Sequence, residues 1–499
     1  MANLKSLAKD TAIYGLSSII GRFLNYLLVP LYTAKLSAAS GGYGIITNVY
    51  AYTALLLVIL TYGMETTFFR FANKGEENPN TVYSTTLISV GTTSLLFVLL
   101  VLAFLPGIAG WMGYSAHPEY VGVMAVVVAL DAFQCIPFAY LRYQRRPIKF
   151  AALKLLFIFL NIGLNLLYFV ALPALYNHYP AVIGTIYSPS VGVGYAFFIN
   201  LTCTGLVTFF FWKELVGIKY QFDWSLLKRM LSYAWPILVL GIAGILNQTF
   251  DKMMFPKIYG DHADTQSQLG IYGAAVKIAM IMALITQAFR YAYEPFVFGK
   301  SQDKDNRETY AQAMRYFVIF TLLAFLAVMA WIDVFKYIIA PDYWSGLKVV
   351  PIVMAAEIMM GIYFNLSFWY KLIDKTIWGA WFSGIGCAVL IVVNVLFVPK
   401  YGYMACAWGG FAGYGCAMVL SYLVGQKNYP INYPLRDMCL YVVVAAALFA
   451  AMMLPVGPMW LALAYRTLLL LLFVGFIYRK EHLGPMLARV PVIGRFFRS

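Results

Sequence analysis

Apolar runs of about twenty residues recur along the chain, each closed by charges, a proline or a cluster of glycines. A helix of about twenty residues spans the roughly 30 Å hydrocarbon core of a bilayer, because each residue advances it by about 1.5 Å. The pattern predicts fourteen such helices. They cover residues 11–33, 43–66, 83–104, 119–141, 150–172, 191–212 and 230–251, then 268–296, 312–335, 347–369, 376–398, 402–424, 437–454 and 457–478. These unbroken stretches lack the residue-by-residue alternation of a transmembrane β-strand. The expected fold class is all-α, a polytopic membrane protein.

Composition narrows the picture. Of 499 residues, 62% are apolar and 11% charged, whereas a soluble domain is near half apolar and about a quarter charged. A water-soluble enzyme, a disordered chain and a single-span receptor are excluded. The net charge of +15 would suggest nucleic acid if it were clustered, but it sorts by side of the membrane. One side collects 25 of the 36 basic residues, among them Lys5, Arg70, Arg142, Lys149, Lys213, Arg307, Lys371 and Arg498. The other has six, Lys35, Lys252, Lys257, Lys336, Lys348 and Lys400, and five more lie inside spans. Basic loops stay inside, so both termini are expected in the cytoplasm of a cytoplasmic (inner) membrane, with no nucleic-acid partner. The run 11–33 is too long for a cleavable signal and has no cleavage site. The tail from Arg479 reads as a basic amphipathic segment on membrane lipids. Six cysteines in apolar stretches, without a CxxC pair, indicate neither a disulfide framework nor a metal site.

A weak internal repeat organises the spans. Shifted by 229 residues, Tyr43–Gly44 falls on Tyr272–Gly273, Tyr62 on Tyr291, Glu65 on Glu294 and Phe69 on Phe298. Six helices separate the copies, so they run in the same direction, a parallel repeat about an axis along the membrane normal. The expected division is an N-terminal lobe over 1–220, a C-terminal lobe over 221–428, and a last helix pair with a basic tail over 429–499. This 6+6+2 plan, with a second helix ending Gly63-Met64-Glu65-Thr66-Thr67-Phe68-Phe69-Arg70, resembles polysaccharide flippases of the MOP superfamily, the Wzx-type branch above all. The resemblance implies alternating access of two lobes around a cationic cavity. It also implies movement of a polyprenyl-diphosphate-linked oligosaccharide from the inner to the outer leaflet, beside a polysaccharide polymerase and glycosyltransferases.

Charges inside spans are costly and face the bundle interior or water. Thr11, Tyr14, Ser18, Arg22 and Asn25 share one narrow helical arc. This polar stripe suits a cavity in which Arg22, flanked by Ser18 and Asn25, grips a diphosphate with its planar guanidinium; the structural reading is an ion pair. Lys277 and Arg290 are further cavity candidates, although Arg290 is four residues from Glu294 and pairing is equally expected. Lys154 is read as snorkelling and Arg466 as a possible lipid-phosphate contact. Asp131, Asp251 and Glu357 are candidates for coupling transport to H+ or Na+, against a commoner role in pairing; Asn247 and Asp251 are spaced to hold a cation together. Glu65 and Glu294 are helix-end pairing groups and gate candidates. No cofactor is expected. Gly299-Lys300-Ser301 has Glu294 where a phosphate loop needs its first glycine, so no ATPase is encoded.

Two other functions fit the composition. A cation-coupled multidrug exporter of the same superfamily is expected to have twelve helices and an acidic or neutral cavity. A membrane glycosyltransferase or polymerase is expected to carry acids on sizeable outer loops, which are short here. The protein is accordingly expected not to be an enzyme.

Overall fold

Two of the long helices start at a capping side chain. Asn78 accepts from the Asn80 amide ahead of Pro79, and Asp223 accepts from the Leu226 amide at 3.0 Å, each filling an otherwise orphaned donor of the first turn. The structure, a computed structural model, describes residues 26–299, 306–373 and 375–482, with the side chains of 26–290, 307–373 and 375–482. In chain order the helices are α1 Leu28–Lys35, α2 Gly42–Thr61, α3 Met64–Asn73, α4 Pro79–Ala103, α5 Leu105–Met112, α6 Pro118–Tyr143 and α7 Pro147–Leu166. A π-helical turn at Leu167–Ala171 leads into α8 Leu172–His178, then α9 Pro180–Ile183, α10 Gly194–Phe209, α11 Trp212–Val216 and α12 Trp224–Tyr259. There follow α13 Thr265–Gly299, α14 Asn306–Ala330, a four-residue helical turn Ile332–Phe335, α15 Val350–Leu366, α16 Phe368–Leu372, α17 Ile377–Tyr401, α18 Tyr403–Asn428, α19 Leu435–Met452 and α20 Met459–Lys480. No strand occurs among the described residues.

Twelve helices among the described residues are long and apolar enough to cross a membrane, and α10 is a shorter apolar helix. The first predicted span lies mostly outside the described residues; its described end, α1, is helical. The chain divides into two compact units, Met1–Ala274 and Ala275–Ser499.

The outsides of the helices are greasy and the insides mixed. On α4, Leu95, Leu99 and Leu100 are more than half exposed, while Thr85, Thr86 and Ser94 are buried. Lipid offers apolar surface no reason to hide, so helix contacts rest on packing and hydrogen bonds instead. In the first unit Phe68, Tyr83, Ile136 and Tyr140 form a core with Met64 and Val82, the Tyr83 and Tyr140 rings stacked at 3.9 Å. Tyr32 donates to Asn165 at 2.7 Å, and Asn48 donates to the Met253 carbonyl at 3.0 Å, tying α2 to α12.

The repeat pairs meet in space. A Cβ on Gly44 would lie 1.9 Å from the Gln266 carbonyl oxygen, and one on Gly273 would lie 2.5 Å from Thr47 Oγ1. Helix α2 and the start of α13 thus approach backbone to backbone, and each copy of the Tyr-Gly pair supplies a glycine that permits it.

Candidate functional site

Helices α2, α6, α7 and α10 enclose a polar cluster in the first unit. Asn200 on α10 donates to the Tyr50 hydroxyl at 2.6 Å, and Gln134 on α6 donates to the Thr204 carbonyl at 2.8 Å. Thr204 reaches Asp131 at 3.4 Å. The Asp131 carboxylate has no ion-pair partner within 4 Å among the described residues, although Lys154 on α7 acts on it electrostatically. The Lys154 ammonium sits 4.0 Å from the Phe138 ring centroid, a favourable seat for a cation on a ring face. The expectation that Lys154 snorkels is therefore corrected. Asp131 and Phe138 both lie on α6, and an ammonium drawn toward a ring and a carboxylate gains more than one left in an apolar surround.

The other acids are engaged. Asp251 is buried, accepts from the Tyr272 hydroxyl at 2.6 Å and pairs with the Lys252 ammonium at 3.0 Å. Its carboxylate is held by the chain's own groups. Glu65 pairs with Arg142, whose guanidinium also lies 4.9 Å from the Phe69 ring centroid; this is the helix-end pairing expected of Glu65. Glu357 is half-buried on α15.

In the second unit a crevice is lined by Thr286, Arg290, Phe364, Asn365 and Lys371. The Arg290 guanidinium rests 4.8 Å from the Phe364 ring centroid. Thr286 Oγ1 is buried without a hydrogen-bond partner among the described residues, and Asn365 spends its amide donor on the Gly361 carbonyl at 3.0 Å. Lys277, half-buried on α13, is not among the residues lining this crevice. Arg22, Ser18 and Asn25 lie outside the described residues, and so does the Glu294 side chain.

Arg466 is not left for a lipid phosphate. It pairs with Asp333 at 2.6 Å and donates through Nε to the Met452 carbonyl at 3.1 Å. Lys336 joins Asp333 at 2.8 Å. Burial alone would raise the Asp333 carboxyl, but hydrogen bonds and charge from Lys336 and Arg466 outweigh it and hold the group below the ordinary carboxylate range. At the far end of α14, Arg315 pairs with the buried Glu481 at 2.5 Å, and Tyr441 donates to the same carboxylate. The pair α19–α20 is thus pinned to α14 at one end and to the segment just beyond its other end.

Sequence reasoning missed Glu214, which is buried between Lys149 at 2.6 Å and Arg146 at 3.7 Å. A signal existed: it is a lone acid directly after a span, on the side that carries the basic run Arg145, Arg146 and Lys149.

Residues 7–291 match the family described as polysaccharide biosynthesis protein, which is more than half of the chain. The chain belongs to the polysaccharide biosynthesis protein family. A relative, Lsg locus putative protein 1 of Haemophilus influenzae, is 22% identical over 353 residues, covering 67% of this chain and 77% of its own. Among solved structures, Lipid II flippase MurJ in an inward closed conformation is similar with a TM-score of 0.70 at 16% identity. That match covers 94% of this chain and 99% of that one. An inward-facing multidrug resistance MATE family transporter of the MOP superfamily matches at 0.60 and 14% identity, over 83% and 94%. The protein is thus a multi-pass membrane protein of that family, and it shares its fold with the lipid II flippase and the MATE transporter. The expected resemblance holds, and with it the all-α polytopic fold.

Proposed function

We propose that this family member is a flippase that carries a polyprenyl-diphosphate-linked oligosaccharide from the inner to the outer leaflet of the cytoplasmic membrane. It would work by alternating access, with both termini cytoplasmic, and would supply cell-surface polysaccharide synthesis beside a polymerase and glycosyltransferases. The observation that carries this reading is length. The likeness to the lipid II flippase covers 94% of this chain, whereas the exporter likeness uses nearly the whole exporter and leaves about a sixth of this chain over. The residues in place agree in charge. Lys277, Arg290 and Lys371 are cations on helices of the second unit, and Arg22 is one on the first span. A diphosphate calls for such groups, and a cationic drug repels them.

Coupling to H+ or Na+ belongs to the same proposal, and Asp131 is its best carrier. Asp251 is already held by Lys252 and Tyr272, while among the described residues Asp131 meets a hydroxyl at 3.4 Å and a more distant ammonium. The test is reconstitution of the purified full chain in vesicles with a fluorescent polyprenyl-diphosphate oligosaccharide, followed by leaflet exchange read with an impermeant quencher. Protein-dependent exchange supports the flippase. Efflux of a cationic dye without lipid exchange would move the protein to the exporters, and sugar transfer without exchange would make it an enzyme.

A further inference from the structure

From Leu155 to Trp212 the chain has no Asp, Glu, Lys or Arg, and this stretch contains the loop between α7 and α10. Helix α7 starts beside Arg145, Arg146 and Lys149, so its apolar part begins near Phe150. At about 1.5 Å per residue it has crossed a hydrocarbon core of about 30 Å some twenty residues later, where the π-helical turn Leu167–Ala171 lies. Apolar exposure does not stop there. Leu166 and Val170 on the outside of the span are followed by Leu175, Tyr179, Val182 and Ile186, exposed at 42%, 63%, 69% and 58%. The steps between these six are four, five, four, three and four residues. The first three steps fit one helical face shifted by the single extra residue a π-turn inserts; the helix then breaks at Tyr179, and Val182 and Ile186 lie on α9 and the turn that follows it. Large apolar side chains therefore stay exposed past the span, into a segment lying beyond the bilayer thickness.

The opposite side of this segment is built. Tyr168, Tyr195, Tyr187 and Tyr176 pack in succession, with ring centroids 4.8, 5.4 and 5.7 Å apart. The Tyr195 hydroxyl accepts from the Ser188 amide at 2.7 Å and donates to its carbonyl at 3.2 Å. These contacts fix the loop, so the apolar face is presented by a shaped element. Standing up in water, that face would expose four large apolar side chains. Laid along the membrane surface, it buries them at the headgroup–acyl boundary, with tyrosines at the depth such rings prefer.

We infer that Leu172–Ile186 is a membrane-surface element that bends at the π-turn and seats Leu175, Tyr179, Val182 and Ile186 in the leaflet facing away from the basic loops. The ligand is the lipid surface itself. Exposed apolar side chains that carry on from the lipid-facing side of α7, and the absence of Asp, Glu, Lys and Arg, favour lipid over a protein or a saccharide. This inference is independent of the flippase reading.

The test uses the full chain with its six native cysteines replaced, reconstituted in phosphatidylethanolamine–phosphatidylglycerol vesicles. Single nitroxide labels are placed at Val182 and Ile186, with controls at Asn177 and Ser190. Labels at 182 and 186 should collide with oxygen several-fold more than with a water-soluble nickel chelate, and the preference should reverse at 177 and 190. The double variant V182D/I186D should shift a label at Tyr179 several-fold toward the chelate, with folded yield unchanged. Equal access of the chelate to all four sites overturns the inference. Shielding of 182 and 186 from both reagents also overturns it, because a protein or saccharide would then cover the face.

Discussion

At the residue scale, the charges inside this protein differ in how completely the chain satisfies them, and that difference makes predictions. Asp333 is about three-quarters buried and held by Lys336 and Arg466. Its carboxyl is depressed in the fold, so its contribution to stability is complete above the ordinary carboxylate range near pH 4. The contribution is lost as pH falls through the lower folded value. Asp333→Asn should cost about 1–2 kcal/mol for a charged pair that keeps some water contact, read as a lower melting temperature in detergent at pH 7. The difference from the parent should shrink in strong acid. Asp131 belongs to the opposite class. Asp131→Asn should preserve folding, because its hydrogen-bond partner among the described residues is a hydroxyl at 3.4 Å, and should abolish gradient-driven transport in vesicles if this acid couples. Full gradient dependence in the variant removes it from that role. For Arg22 the expected outcome is near-normal membrane abundance with loss of glycan export in Arg22→Ala, and partial recovery in Arg22→Lys, which keeps the charge but not the two-pronged geometry. A large fall in folded protein, the sign of a broken buried pair costing about 3–5 kcal/mol, would mark a structural ion pair instead.

At the element scale, the α2–α13 crossing follows from two glycines at repeat-related positions. A methyl on Gly44 has a backbone oxygen 1.9 Å away, which cannot rotate aside, whereas one on Gly273 meets the side chain of Thr47. Gly44→Ala should therefore destabilise more than Gly273→Ala. The expected cost is about 1–3 kcal/mol for overpacking at Gly44 and less at Gly273, measured as the loss in thermal midpoint. Equal effects would mean the helices separate freely at this crossing. The pair α19–α20 makes a second element-level case, since Arg315–Glu481 and Arg466–Asp333 secure it at both membrane faces.

On the scale of the whole molecule, orientation rests on the 25-to-6 division of basic residues between the two sides. Reporter fusions at Ser499 and within Lys300–Arg307 should read cytoplasmic, and one near Tyr176 external. A cytoplasmic reading at Tyr176 would break the span count and the parallel repeat together. The same fusion bears on the membrane-surface segment, because its face must lie in the leaflet away from the basic loops.

What the sequence determined alone is what hydrophobicity and local chemistry control. The spans, the fold class, the basic asymmetry and the superfamily resemblance are additive properties of neighbouring residues, and each helix predicted from Tyr43 to Tyr478 has a helical counterpart in the structure. The match of Tyr43–Gly44 with Tyr272–Gly273 was visible as a repeat, but not as a contact. Only the tertiary structure decided which charges are spent on each other. Arg466 with Asp333, Arg315 with Glu481, and Glu214 with Lys149 are 133, 166 and 65 residues apart in sequence. An ion pair depends on distances of a few ångströms, and helical spacing predicts such distances only within one helix. Lys154 shows the reason most clearly. Its place near a helix end suggested escape to water, and the neighbours that keep it inside, Asp131 and Phe138, come from another helix.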